Sequence, residues 1–438
     1  MVFLQNVWWL LVLIGVMILI HELGHYWAAR FFDVRIDTFS FGFGPRLFGF
    51  KRGETDFRFS AILFGGYVKM AGEQPGDEAA KDPRGFLAKP RWQRLIIAFA
   101  GPFMNIILAI GLVTALFMNQ YPKIPTIHSP VVGYVAPSLA AAKAGIQEGD
   151  RILQIEDKVD PTWEDIEIRE VSSAGRPMHV AVERNGSRQT FTVTPVADER
   201  SGIGVAGWAQ EAEIEVAKVF PDMEAAKAGI ERGDILVSVN GQRIMSTPKL
   251  HDVIHAANGN PVDLVYKRNG KEHGVRITPQ KTSMDGQERW MIGVQLEQRM
   301  EITKLPFAQA VRESVRQNFK SAGLIYKMLE GIVERRISSK SLEGPIRIAQ
   351  LSGDAAREGA AAFIGLMAMV SLNLAIFNLL PIPILDGGVI LLLLIEMIMR
   401  RDLSLSVKEA VIKVGFVFLM AVVMFVLYND ITKILTAG

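Results

Sequence analysis

A long apolar run at the start of the chain ends in a histidine–glutamate motif. Residues 1–20 contain no Asp, Glu, Lys or Arg, and they lead directly into His21-Glu22-Leu23-Gly24-His25. Residues i and i+4 lie on one face of a helix, so His21 and His25 can bind one zinc ion while Glu22 acts as a general base. Ionisable groups inside a bilayer are costly and usually functional. The run therefore predicts a membrane helix with a metal-dependent hydrolytic centre; the alternative is a chance motif with interfacial histidines.

Composition narrows the class of protein and the chemistry of any metal site. Hydrophobic residues make up 49% of the 438, which indicates a membrane protein with a large soluble part. The net charge of +2 does not favour nucleic-acid binding. The chain has no cysteine, so a zinc site must use His, Asp or Glu. The N-terminal run lacks a basic region and a small-residue cleavage pattern, so we expect a retained span.

Four segments are apolar enough to cross or deeply enter a bilayer, namely about 2–20, 95–118, 359–385 and 414–428. A span needs roughly 20 apolar residues, and the fourth segment is short by that measure. Arginines and lysines concentrate between the first two segments and between the last two. The positive-inside rule then predicts cytoplasmic connections there, with both termini and the stretch 120–355 outside the cytoplasm.

The loop after the first span alternates aromatic residues with glycines, over 39–45 and again over 57–70. This pattern is typical of short β-hairpins. One interpretation is an ordinary cytoplasmic hairpin. The other is a β-sheet that dips toward the metal site with a free edge, to which an extended peptide can add as a strand.

The long middle region contains an internal duplication. Gly145 returns as Gly229, and Arg184-Asn185-Gly186 and Thr194-Pro195 return at the same offset. A unit of this size is a domain and not a solenoid repeat. Each unit resembles PDZ domains of the bacterial protease type, which implies a groove for a peptide strand; the alternative is a pair of steric gates with empty grooves.

Beyond the repeat, apolar residues recur every three or four positions over 307–332. This spacing predicts an amphipathic helix, either packed on a domain or lying on the membrane surface.

Two histidines leave a catalytic zinc site one protein ligand short. The end of the third apolar segment offers Asn378, two prolines at 381 and 383, and then Asp386 before two glycines. The prolines lack backbone donors and predict a break in the helix. Asp386 is then either a helix cap in a kinked span or the third ligand, since it falls near the same end of its span as His21 and His25.

The paired motifs closely resemble the site-2 protease family of intramembrane zinc metalloproteases. The residues that carry the resemblance are His21 to His25 and Asn378-Leu379-Leu380-Pro381-Ile382-Pro383-Ile384-Leu385-Asp386-Gly387. With two PDZ-like units between the motifs, the chain is most similar to the bacterial proteases of this family that act in the sigma-E stress response. The resemblance covers essentially the whole chain.

The resemblance implies a site for one Zn²⁺ per chain. His21, His25 and Asp386 are the expected zinc ligands, Glu22 is the expected catalytic base, and Asn378 is expected to hold the substrate. The family's membrane-associated β-segment corresponds to Phe64–Met70, so the expected substrate-binding residues also include Gly65, Gly66, Tyr67, Val68 and Lys69. Many relatives have His after Asp-Gly-Gly where this chain has Val389, which is not a family ligand position.

These observations predict a multi-pass α-helical membrane protein with about four transmembrane helices, a membrane-associated β-sheet and two tandem PDZ-like (α+β) domains. The expected parts are a membrane core (1–120), two PDZ-like domains (121–205 and 206–285), an amphipathic helical segment (286–358) and a second membrane core (359–438). We expect an inner-membrane zinc endopeptidase, with periplasmic PDZ-like domains and an active site near the cytoplasmic side.

The expected partners are the lipid bilayer and single-span membrane proteins. The resemblance implies an anti-sigma factor after a first extracytoplasmic cut and remnant signal peptides as substrates, and the PDZ-like grooves are possible sites for peptide ligands. No nucleic acid is expected. The alternative function is a catalytically inactive PDZ-containing membrane adaptor. A metal transporter is disfavoured because spans two and four carry almost no ionisable residues along a path.

Overall fold

Long apolar helices and a curled β-sheet form one part of the molecule, and small β-rich domains form the other. The computed structural model describes residues 2–73, 82–123, 130–198, 203–284, 287–299, 301–334 and 344–437. The chain divides into a first unit of Met1–Tyr121, Lys304–Tyr326 and Leu342–Gly438 and a second unit of Pro122–Thr303 and Lys327–Ser341.

The helices are α1 (Val2–Phe31), α2 (Arg91–Asn119), α3 (Ala140–Ala144), α4 (Trp163–Val171), α5 (Glu224–Lys227), α6 (Thr247–Ala257), α7 (Phe307–Val333), α8 (Pro345–Glu358), α9 (Ala360–Leu379), α10 (Asp386–Met399) and α11 (Leu405–Ala437). The strands are β1 (Ile36–Arg52), β2 (Thr55–Met70), β3 (Tyr121–Lys123), β4 (Val132–Val135), β5 (Arg151–Ile155), β6 (Lys158–Val159), β7 (Met178–Arg184), β8 (Ser187–Val193), β9 (Val196–Ala197), β10 (Gly204–Val205), β11 (Trp208–Gln210), β12 (Ile214–Val219), β13 (Ile235–Val239), β14 (Gln242–Arg243), β15 (Val262–Arg268), β16 (Lys271–Ile277), β17 (Gln280–Met284), β18 (Gln287–Met291), β19 (Val294–Gln298) and β20 (Glu301–Thr303).

Four helices of the described chain are long and apolar enough to cross a membrane. They are Val2–Phe31, Arg91–Asn119, Ala360–Leu379 and Ser406–Thr432. The fourth is longer than the predicted segment 414–428, because the helix continues through polar residues at both of its ends. Lys408 is one of these, and its ammonium group is neutralised by Glu396 at 2.6 Å.

The predicted break in the third apolar segment is confirmed. Helix α9 ends at Leu379 and α10 begins at Asp386, so the predicted segment 359–385 is a helix followed by an irregular stretch that contains both prolines. Proline at 381 and 383 supplies no N–H to a helical ladder. Helix α10 has 14 residues, and a helix of that length is about 21 Å long, too short to span a bilayer.

Strands β1 and β2 form one sheet in which four strand segments lie side by side, whereas a simple hairpin has two. Phe39 lies opposite both Phe57 and Val68, and Phe57 also lies opposite Phe50. The pairing therefore orders the segments as 46–52, 55–60, 38–41 and 66–70. We call residues 66–70 the edge segment. Within the described residues, no strand pairs with its outer side.

The second unit contains two separate hydrophobic cores, one for each sequence repeat. The first core draws on residues from Val132 to Trp208, and the second on residues from Ala212 to Ile292. In each repeat a bidentate ion pair joins an aspartate to an arginine: Arg184 to Asp150 at 2.7 and 2.6 Å, and Arg268 to Asp234 at 2.7 and 2.7 Å. In each repeat, the aspartate of the Gly-Asp motif therefore forms an ion pair with the arginine of the Arg-Asn-Gly motif.

The predicted boundaries at 205 and 285 are wrong, because each core is closed by a strand that follows them. Trp208 pairs with Val135 in the first repeat, and Val294 pairs with Val219 in the second. Val135 and Val219 are separated by the repeat offset, whereas Val294 lies two positions beyond the place where that offset would put the equivalent of Trp208. A short insertion thus displaces the closing strand of the second repeat. Both boundaries miss their closing strands because a repeat gives the period of the domains but not where each domain ends.

The predicted helical segment 286–358 is also corrected. Its first part forms β18, β19 and β20, and helix α7 begins only at Phe307. The amphipathic helix itself is confirmed over Phe307–Val333. Within the first unit, its buried positions are the small and polar Ala310, Ser314 and Asn318, and the Ser314 hydroxyl donates to the Ile110 carbonyl at 2.7 Å.

Candidate metal centre and active site

The three expected ligands converge in the first unit. Nε2 of His21 lies 3.1 Å from Oδ2 of Asp386, and Nε2 of His25 lies 3.5 Å from Oδ1 of the same carboxylate. The two Nε2 atoms are 3.2 Å apart, and one ligand atom from each residue lies within 4.8 Å of the others. Both histidines are buried, with 7% and 8% of their surfaces exposed.

Local sequence explains why Asp386 reaches this position. The helix break lets α10 start beside the last residues of α9, and the two glycines that follow Asp386 make this close approach possible. A Cβ on Gly387 would overlap the Leu380 carbonyl oxygen, and one on Gly388 would lie 2.8 Å from the Ile382 carbonyl carbon. Asp386 thereby occupies the first turn of α10, directly against α1.

Helix α2 supports both histidine rings from behind. Nδ1 of His25 lies 2.8 Å from the Ile97 carbonyl oxygen, which can only accept a hydrogen bond. The ring proton of His25 is therefore on Nδ1, and Nε2 is left with a lone pair for a metal. The amide of Asn105 lies against Nδ1 of His21 at 3.2 Å, so the same helix orients both rings.

Space for an ion exists beside the two histidine rings because the α2 residue that faces them is a glycine. A Cβ on Gly101 would overlap Nε2 of His25 and lie 2.8 Å from Nε2 of His21. Those two atoms are the ones that the expected ligand set offers to zinc. Gly24 of the histidine motif similarly brings α1 and α2 together, since a Cβ there would lie 2.8 Å from the Ala100 carbonyl carbon.

The residues present fit zinc. Two imidazole nitrogens and one carboxylate, with one coordination position left open, form a common catalytic zinc set. The set contains no sulfur, and each histidine has a partner for its other ring nitrogen, as zinc-binding histidines usually do. Oδ1 of Asn105 is buried and has no hydrogen-bond partner among the described residues. Flipping this amide would turn Oδ1 toward Nδ1 of His21, where it would accept the proton of a ring that binds metal through Nε2.

The ligands open onto a cavity of about 540 Å³, which we call the catalytic cavity. Its lining includes Glu22 and Asn378 together with the three ligands. Glu73 also lines it. The cavity thus brings a carboxylate, an amide and a metal-ligand set together in one place.

The edge segment forms one wall of the catalytic cavity. Gly66, Tyr67 and Val68 of the edge segment line it together with the preceding Gly65, whereas Lys69 lines a neighbouring cavity instead. Gly66 packs closely on α1, because a Cβ there would lie 2.9 Å from Cγ2 of Ile18 and 3.2 Å from Cγ of Glu22. The unpaired strand edge is therefore next to the residue expected to act as base.

Sequence reasoning missed the contribution of α2. Ile97, Gly101 and Asn105 orient the histidines and make room for the ion, yet none belongs to either motif. One signal was available: Asn105 is the single amide side chain in the uncharged run 95–118, and a polar group in a span is usually functional.

Comparison with known proteins finds similarity along nearly the whole chain. The sequence profile of peptidase family M50 matches residues 9–422. A protein of Xylella fastidiosa named "Putative zinc metalloprotease" is 31% identical, with 98% of this chain and 99% of that protein covered. The regulator of sigma-E protease of Salmonella typhimurium is 30% identical, with 97% and 98% covered.

Among solved structures, the PDZ domain of an SdrC-like protein from Listeria monocytogenes matches with 25% identity and a TM-score of 0.18. That match covers 20% of this chain and 90% of the other.

The matched family spans both motifs, and its relatives align over nearly their full length. The chain therefore belongs to peptidase family M50, the site-2 protease family, and is a zinc metalloprotease.

Proposed function

We propose that this protease hydrolyses a peptide bond within the membrane-spanning segment of single-span membrane proteins. The observation that carries the proposal is that His21, Glu22 and His25 lie on a span-length apolar helix, where Asp386 meets the two histidines beside an unpaired strand edge. A protease of soluble substrates has no need to place its catalytic groups on such helices.

The substrate must present an extended backbone at the site. A helical segment engages its carbonyl groups in i to i−4 hydrogen bonds, so it has to unwind before hydrolysis. No described strand pairs with the outer side of the edge segment, so such a peptide would add there as a strand. In doing so it would replace the contacts that the Val68 and Met70 amides make with the Glu22 and Glu73 carboxylates. Gly65, Gly66, Tyr67, Val68 and Lys69 are thus proposed to bind substrate main chain.

His21, His25 and Asp386 are proposed to hold one zinc ion. When bound, zinc supplies a Lewis acid that polarises a carbonyl oxygen and makes water acidic near neutral pH. Glu22, which lines the same cavity, takes the proton of the attacking water and passes it to the leaving amine. Asn378 donates a hydrogen bond to the substrate carbonyl as negative charge develops on its oxygen.

The number of spans, the location of the protein and the side on which each part lies are inferred from the distribution of charged residues and from similarity to the named relatives. We infer four spans, an inner-membrane location, an active site near the cytoplasmic side and tandem PDZ-like domains on the opposite side. A relative named regulator of sigma-E protease supports an anti-sigma factor as one substrate, with remnant signal peptides as another. The PDZ-like pair would exclude substrates that still carry a bulky outer domain. A catalytically inactive adaptor is disfavoured, since it needs no complete set of ligands and base.

The test is cleavage of a tagged single-span reporter by purified full-length protein in detergent. The expected result is a pair of products whose masses place the cut inside the apolar segment. Cutting only in a soluble flank would contradict intramembrane proteolysis. A second reporter with a folded outer domain tests the filter, and its cleavage at the same rate would contradict size exclusion.

A further inference from the structure

A second cavity of about 810 Å³ adjoins the catalytic cavity. The two share part of their lining, including Val68, Met70 and Val389. The second cavity continues along the edge segment, past Lys69, to the start of α2 and the end of α10. A chain that pairs with the edge segment would therefore run from one cavity into the other.

The far end of the second cavity carries a buried donor that lacks a partner. Arg94 is only 5% exposed, and its Nη2 lies 3.7 Å from Oδ1 of Asp402. Its Nε has no hydrogen-bond partner within the described ranges. A buried donor without an acceptor costs free energy that a bound ligand can recover.

The same cavity carries a buried acceptor that lacks a partner. Glu396 is 1% exposed, and its Oε1 accepts from Lys408 Nζ at 2.6 Å and from the Leu403 amide at 3.0 Å. Its Oε2 is buried and has no partner in the part of the chain that is described. Two residues that line the second cavity thus each carry one buried polar atom without a partner among the described residues, and several other lining residues, such as Leu392 and Leu393, are apolar.

We propose that the second cavity is a substrate subsite for extended peptide. A peptide backbone presents both a carbonyl for Nε of Arg94 and an N–H for Oε2 of Glu396, whereas a lipid acyl chain presents neither. Met70 lies four residues beyond Gly66 along the edge segment. A peptide paired with that edge advances at the same rise of about 3.3 Å per residue, so it also spans about four residues between these two ends. The subsite therefore receives residues about four positions from the scissile bond, on one side of it only.

This inference rests on the proposed function, and its test uses the full-length protein with peptides that wild type cleaves. The peptides are trimmed one residue at a time from either end. Leu392→Trp fills the second cavity from a position that does not itself line the catalytic cavity. Leu391→Trp is the matched control, since Leu391 is exposed on the same helix and lines neither cavity.

Leu392→Trp is expected to lower kcat/KM about tenfold for long peptides, mainly through KM, and to leave peptides trimmed at one end unchanged. The end whose trimming removes the effect gives the direction in which substrate runs. Equal loss for long and trimmed peptides, or no loss at all, would overturn the subsite; equal loss is also what a lipid-filled cavity predicts.

Arg94→Lys provides a second test should Leu392→Trp fail to fold or to retain zinc. Lysine keeps the positive charge beside Asp402 but lacks the Nε donor. The same dependence of KM on peptide length is expected, and its absence would overturn the proposal. Failure of the wild type to cleave any peptide would instead count against the proposed function.

Discussion

The side-chain amide of Asn105 lies 3.2 Å from Nδ1 of His21, although the two residues are far apart in the sequence. The ring nitrogen on the opposite side of His21 faces Asp386. Asn105 is itself fully buried, and its backbone carbonyl accepts a hydrogen bond from Ser371 at 2.9 Å. Helices α1, α2 and α9 are thereby linked through one residue that fixes how His21 presents Nε2.

Asn105→Ala should weaken zinc binding. Loss of the partner of a metal-binding histidine typically lowers metal affinity about 10–100-fold. Zinc retained by purified protein against increasing chelator would measure this. Asn105→Asp keeps an acceptor for the Nδ1 proton and should retain more zinc. Asn119→Ala, at the exposed end of the same helix, is the control. Wild-type zinc retention by Asn105→Ala would exclude this role.

Gly101→Ala should abolish zinc binding and activity together. Its Cβ would overlap Nε2 of His25 and approach Nε2 of His21 to 2.8 Å. Each ring is held to α2 by a hydrogen bond at its Nδ1, which opposes a movement away from the new methyl group. Gly111→Ala is a matched control on the same helix, where a Cβ would meet nothing within 4 Å. Metal analysis of both proteins decides the matter: one zinc per chain in Gly101→Ala would show that the ion lies elsewhere.

Asn378→Leu should lower kcat while zinc content stays unchanged. Asn378 lines the catalytic cavity and lies outside the proposed ligand set. Removal of one hydrogen-bond donor to a developing oxyanion typically costs about 10²–10³-fold in kcat. Met369→Leu, an exposed position on the same helix, controls for packing. A change in KM alone would assign Asn378 to ground-state binding.

Arg184→Ala should destabilise the first repeat of the second unit. It leaves the Asp150 carboxylate, which is 1% exposed, without its bidentate partner. Removing one partner of a buried ion pair costs about 3 kcal/mol or more. Hydrogen exchange of the full-length protein would report faster exchange in strands β5 and β7. Arg188→Ala removes an arginine with an exposed contact and should leave exchange unchanged. Unaltered protection in Arg184→Ala would show that the pair contributes little.

Short-range patterns predicted the parts of the site that lie on one element. The spacing of His21 and His25 is a property of a helix, and the break between α9 and α10 follows from Pro381 and Pro383. The support from α2 was not predictable in this way. Ile97 acts through a backbone carbonyl and Gly101 through the absence of a side chain, so neither has a residue-type signal for its role.

The predicted domain boundaries at 205 and 285 were wrong for a different physical reason. A repeat at constant offset identifies residues that keep the same register, such as Asp150 and Asp234. The strands that close the two cores begin at Trp208 and Val294, and the second is displaced from the repeat offset by a short insertion. Each pairs with a strand at the start of its own domain, far away in the sequence, and no local pattern encodes such a pairing.

The central claim is that Glu22 moves protons at a zinc site built from His21, His25 and Asp386. The most direct measurement is reporter cleavage by purified wild type and Glu22→Gln, with the zinc content of both proteins determined. Glutamine keeps the size of the side chain but is not a base. The account predicts about one zinc in each protein and cleavage by wild type only. Full activity of Glu22→Gln, or wild-type cleavage that persists after its zinc is removed, would contradict it.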